Sequence, residues 1–76
     1  MVVAVCFVNA ALGKEVKARK RLSSVKGARR MIELFGEYDF LLILEGESLE
    51  EINSTVDDLR ELKEVRSTRT IIGADV

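Results

Sequence analysis

Phe35-Gly36-Glu37-Tyr38-Asp39-Phe40-Leu41-Leu42-Ile43-Leu44 decides the fold. A glycine-bearing break is followed by a run that is apolar at every position rather than at alternate ones. A strand of this kind, expected over residues 38–45, is covered on both faces. One other stretch behaves the same way, Val2-Val3-Ala4-Val5-Cys6-Phe7-Val8, a strand over residues 2–8.

Working outward, residues 28–35 interleave Arg29, Arg30 and Glu33 with Met31, Ile32 and Leu34. This reads as a half-exposed strand whose alternation slips at Met31-Ile32, where a β-bulge is expected. Residues 65–72, Val-Arg-Ser-Thr-Arg-Thr-Ile-Ile, are β-branched and polar, and form a last strand. Between strands lie two helices. Residues 14–23 carry Lys14, Lys17, Arg19, Lys20 and Arg21 around a thin stripe of Val16 and Leu22, filled out by Ala18 or the stem of Arg19, with a glycine exit at Gly27. Residues 48–62 open on a capping box, Ser48-Leu49-Glu50-Glu51. They continue with Leu49, Ile52, Val56 and Leu59 on one face. Residues 73–76 are expected to fray.

The order β-α-β-β-α-β predicts one α+β domain over residues 1–76, a ferredoxin-like split βαβ fold. Its antiparallel sheet has the order 4-1-3-2, with two helices on one face. The two all-apolar strands then fall in the centre and the two charged ones at the edges. Helices on one face leave the apolar second face of strands 1 and 3 bare, a larger patch than a soluble monomer exposes. The expected cover is the same face of a second copy, so the domain dimerises through its open sheet face.

Composition narrows the functions. A chain of 76 residues buries a modest core and usually draws stability from a staple or a partner. With one cysteine and no histidine, an intrachain disulfide is impossible and a structural zinc site is excluded. No cofactor or metal is implied. Cys6 reads as a reduced, buried thiol of a cytoplasmic protein. The apolar start is too short to span a membrane and lacks a signal-peptide pattern. The net charge of −1 hides a division. Residues 1–38 hold eight Lys/Arg against three Asp/Glu, a net of +5; residues 39–76 hold four against ten, a net of −6. The basic first helix is a solvated face or an assembly contact with the acidic second helix of a neighbour.

The turn itself suits an amino acid. Gly36 permits positive φ and close backbone approach. Successive N–H groups in a turn can cradle a carboxylate, and Asp39 can pair an ammonium. The plain alternative is a hairpin turn in which Asp39 caps its own backbone. Tyr38 is either a pocket wall or a packing residue.

Gly36-Glu37-Tyr38-Asp39 resembles the Gly-x-Tyr-Asp turn of the Lrp/AsnC family, in its C-terminal effector-binding (RAM) domain. Val8-Asn9, Gly13-Lys14-Glu15, residues 48–53 and residues 65–72 resemble further pieces of that domain in the same order. The resemblance implies an amino acid or similar small effector bound between dimers at Gly36, Glu37, Tyr38 and Asp39, with hydroxyls of Thr68 and Thr70 completing the site. It implies a homodimer, extending to a ring of four dimers, and co-assembly with full-length Lrp/AsnC regulators. The regulators' helix-turn-helix has no counterpart in residues 1–76, so the expectation is a stand-alone RAM domain without direct DNA binding. Three other readings share the topology. A dimeric α/β-barrel enzyme would lack a histidine for its chemistry, and an ACT-like domain would not account for the threonine-rich last strand. An RNA-recognition module would need more stacking aromatics than Phe7, Phe35, Tyr38 and Phe40.

Overall fold

A computed structural model of the chain describes residues 1–73. The elements are β1 (Val2–Ala10), α1 (Glu15–Leu22), β2 (Ala28–Glu33), β3 (Phe40–Gly46), α2 (Leu49–Arg60) and β4 (Val65–Ile72). The strands form one sheet of order β2-β3-β1-β4, with every neighbouring pair antiparallel. This is the expected ferredoxin-like arrangement, read from the opposite edge. Residues 74–76, most of the expected frayed end, lie outside the described residues. Gly73 is tied down, its N–H donating to the Val3 carbonyl at 2.7 Å.

Register assigns each side chain to a face, because directly opposed residues point the same way. Cys6 lies between Leu42 and Thr70, Ala4 between Leu44 and Ile72, and Val8 between Phe40 and Thr68. That face meets the helices. Small residues on β1 (Ala4, Cys6, Val8, Ala10) and large ones on β3 (Phe40, Leu42, Leu44) are buried there with Ala18, Leu22, Ile52, Val56 and Leu59. Burying each large side chain contributes roughly 1.5–3 kcal/mol, so α2 is docked chiefly by Ile52, Val56 and Leu59.

The opposite face is bare. Val5 stands between Ile43 and Ile71, and Phe7 between Leu41 and Arg69, with Ile32 beside Leu41. None of these side chains is fully buried.

Four local expectations need correction. The β2 bulge falls at Arg29, between the pairs Ala28–Leu44 and Arg30–Ile43, while Met31 and Ile32 pair regularly with Leu42 and Leu41. Both are apolar because both faces of β3 beside them are apolar. Leu49 and Val16 are exposed; each stands in the first turn of its helix, and the buried residues of α1 are Ala18 and Leu22. The Ser48 hydroxyl accepts the Glu51 N–H at 3.3 Å, but among the described residues no return bond from the Glu51 side chain completes the box. Finally, β3 begins at Phe40 rather than at residue 38, and β2 ends at Glu33 rather than at residue 35. The break at Gly36 is therefore a loop over residues 34–39, closed by the Leu34 N–H donating to the Asp39 carbonyl at 2.9 Å.

Candidate functional site

The loop over residues 34–39 sits at the end of the sheet where β1 finishes and β3 starts. Gly36 has φ of +141°, with nothing within 4 Å of where a Cβ would stand. The residue is a glycine for backbone conformation, not for lack of room. Phe35 beside it is 100% exposed and Glu37 is also exposed. The loop thus carries a large apolar side chain into solvent.

Asp39 is anchored. Its N–H donates to the Val8 carbonyl at 3.0 Å, and its Oδ2 accepts the Ala10 N–H at 2.8 Å. The paired ladder of β1 and β3 stops at Val8–Phe40. The carboxylate therefore takes a β1 donor that a strand carbonyl would otherwise have held. A β1 irregularity between Asn9 and Ala10 marks the same place on the β4 side. Among the described residues, Oδ1 accepts no hydrogen bond. Tyr38 packs its ring on Phe7, centroids 5.0 Å apart and planes inclined at 36°. Because Phe7 belongs to the bare face, Tyr38 extends that face to the loop.

Thr68 and Thr70 lie elsewhere. Both are on the helix side of β4, the edge two strands away from β3, a distance of about 10 Å. Thr68 Oγ1 accepts from Arg60 Nε at 3.0 Å, and Thr70 Oγ1 donates to Cys6 Sγ at 3.5 Å. They border a groove between α2 and β4 with Asn53, Asp57 and Arg60. One chain does not bring them to Gly36–Asp39. Cys6 is fully buried, and burial pushes its thiol up from the ordinary value of 9.0, against smaller opposing effects of the Thr70 hydrogen bond and the Arg60 charge. An unreactive core thiol results.

Two features of this end were missed by reading the sequence. Leu12, in the connection after β1, is 96% exposed. Register places it at the same end of the sheet as Phe35, a proximity that depends on topology. The sequence signal was an apolar residue beside Gly13 with no helical partner. The second feature is Glu64, which is buried in the connection between α2 and β4; its place in a charged connection gave no hint of this.

A ferredoxin-like sheet with helices on one face, an apolar opposite face and a glycine loop at one end defines the class. Comparison with known proteins shows what the chain is similar to. The chain is similar to the HTH-type transcriptional regulator LysM of Sulfurisphaera tokodaii, 36% identical over 53 residues, which are 70% of this chain and 38% of the regulator. It is also similar to homocitrate synthase of Saccharolobus solfataricus, 35% identical over 51 residues, 67% of this chain and 11% of the enzyme. The chain thus spans well under half the length of both. Among solved structures, FFRP-DM1 superimposes with a TM-score of 0.89 at 25% identity, over 97% of this chain and 100% of that one. Escherichia coli AsnC gives a TM-score of 0.86 over 99% of this chain and 52% of that one; at 16% identity this is a likeness of fold. No family model matches the chain. The chain is similar in sequence to a regulator and has the fold of the RAM domain of the Lrp/AsnC family. Among the described residues, no helix is long and apolar enough to cross a membrane.

Proposed function

We propose that the chain is a non-catalytic assembly and effector-binding domain of cytoplasmic regulators, acting by pairing copies of itself and binding an amino acid between pairs. The observation that carries this reading is the bare sheet face. Val5, Phe7, Leu41, Ile43 and Ile71 stand together on it, in a chain too short to be stabilised amply by one core. A second copy across a two-fold axis covers it with the same residues. Tyr38, packed on Phe7, links that face to the loop.

The effector reading rests on the loop. Gly36 gives the backbone an open approach, and Asp39 offers its second carboxylate oxygen to an ammonium. Glu37 stands at the rim. Phe35 and Leu12, projecting from the same end, supply an apolar contact for a neighbouring pair of copies, so the effector is enclosed only on assembly. Thr68 and Thr70 join such a site only as contributions from another copy. Pairs closing into a ring of four, or mixing with full-length Lrp/AsnC regulators, would let the effector favour one assembled state by its differential affinity. An enzymatic role is less well supported: residues 36–39 offer two acids, of which Glu37 is exposed and Asp39 has its Oδ2 occupied by backbone.

Binding of each amino acid to the intact chain by titration calorimetry tests the reading. An amino acid should bind wild type, and Asp39→Asn should weaken it about tenfold or more. Undiminished binding in Asp39→Asn, or none to wild type, overturns the assignment of the loop.

A further inference from the structure

We propose that the cleft between α1 and the α2–β4 connection is a second small-molecule site, built for an amino dicarboxylate and independent of the loop at residues 34–39. The cleft is open to solvent, has a volume of about 640 Å³ and is lined by Lys17, Lys20, Arg21, Ser24, Leu62 and Glu64. Lys17, Lys20 and Arg21 stand at i, i+3 and i+4, so α1 turns one cationic face to it.

Glu64 is the decisive residue. It is 7% exposed. Its Oε1 has essentially no free surface and, among the described residues, no hydrogen-bond donor. Arg21 Nε lies 3.7 Å away, an ion pair but beyond hydrogen-bond length. Native structures seldom leave a buried carboxylate oxygen without a donor. Nor is the residue loosely placed. Its carbonyl accepts the Ala11 N–H at 2.8 Å, and the next residue, Val65, donates its N–H to Leu62 at 3.1 Å.

The two halves of the cleft call for opposite charges on one ligand. Glu64 Oε1 lacks a donor, which an ammonium in the cleft supplies as a charge-assisted bond once the carboxylate turns toward it beside Arg21. The three cations lack acceptors within the cleft beyond that one carboxylate. A monocarboxylic amino acid leaves an excess of positive charge, and a plain dicarboxylate leaves Glu64 without its donor. An α-amino dicarboxylate supplies both, with Leu62 against its methylene spacer. Binding there would tie α1 to the start of β4 and stiffen the end of the sheet that carries Leu12.

Titrating the isotope-labelled chain with glutamate, glutarate and alanine, and following its amide resonances, tests the site. Glutamate should produce saturable shifts over residues 17–24 and 62–65, with glutarate and alanine about tenfold weaker or more. Glu64→Gln should reduce glutamate binding to the level of glutarate, and Lys17→Ala with Lys20→Ala should abolish it. The shifts over residues 17–24 and 62–65 should saturate whether or not residues 34–39 also shift, which separates this site from the loop. If Glu64→Gln does not fold, the double lysine variant, altered only on an exposed helix face, decides alone. The absence of saturable shifts overturns the proposal, as do shifts confined to residues 34–39. So does glutarate binding as tightly as glutamate, which would mean general attraction of anions to α1.

Discussion

Asp39 Oδ2 accepts the Ala10 N–H at 2.8 Å, so a side chain of the β2–β3 loop closes the end of β1. The same residue is the candidate partner for an effector ammonium, and the two roles can be separated. Asp39→Ala removes the acceptor from a partly buried donor and should cost about 1–3 kcal/mol in urea unfolding. Asp39→Asn keeps an acceptor oxygen and should lose less stability, while losing the charge that an ammonium requires. Equal losses of stability in the two variants would show that the carboxylate's charge, not the hydrogen bond, holds the loop.

Gly36 and Gly27 should respond differently to alanine. Gly36→Ala meets no atoms but must hold φ of +141°, a strain of about 1–2 kcal/mol. Gly27→Ala carries strain at φ of +96° and a Cβ 2.7 Å from Thr55 Oγ1, so it should be the more destabilising. Adding Thr55→Ala should recover the steric part of that loss and leave the backbone part. Denaturant midpoints of the three variants check this ordering.

Cys6 makes a prediction about alkaline stability. The folded chain raises its pKa, so the folded state retains a proton that the unfolded chain releases first. Stability from this group is therefore complete below the ordinary value of 9.0 and declines as pH rises above it towards the folded pKa. The unfolding free energy should fall above that pH in wild type, and Cys6→Ala, less stable at neutral pH, should lack this part of the slope. A thiol reagent should likewise react with the folded chain far more slowly than with the chain in denaturant.

The two faces of β3 should be separable by neighbouring substitutions. Leu42→Ala opens the helix-side core and should cost about 2–5 kcal/mol. Ile43→Glu alters only the open face; the fold should persist by circular dichroism while sedimentation shows monomers. A dimer surviving Ile43→Glu would move the pairing surface elsewhere.

The fold was legible because its two central strands announce themselves. An all-apolar Phe40–Leu44 and Val2–Val8 can lie only where both faces are covered, and the charged edges follow from that. Boundaries were less legible. The loop at residues 34–39 looked like a tight turn because Leu34 and Tyr38 fit a strand pattern, yet the Asp39 carboxylate replaces a ladder carbonyl and ends pairing early. Leu49 and Val16 fit the helical period but sit exposed in the first turns of their helices. At the candidate site, the sequence marked Gly36 and Asp39 through their chemistry. It did not reveal that Thr68 and Thr70 point to the helix side, engaged by Arg60 and Cys6, because which face a residue takes on an edge strand depends on register. Glu64 was invisible for the same reason: its burial is set by neighbours distant in sequence.

The central claim is that two copies pair through the sheet face and that an amino acid binds where pairs meet. Native mass spectrometry of the unmodified chain, alone and with each of the twenty amino acids, tests both parts at once. The account predicts even-numbered oligomers throughout, with at least one amino acid giving a stoichiometric adduct on the larger ones. A monomer without adduct under every condition would contradict it.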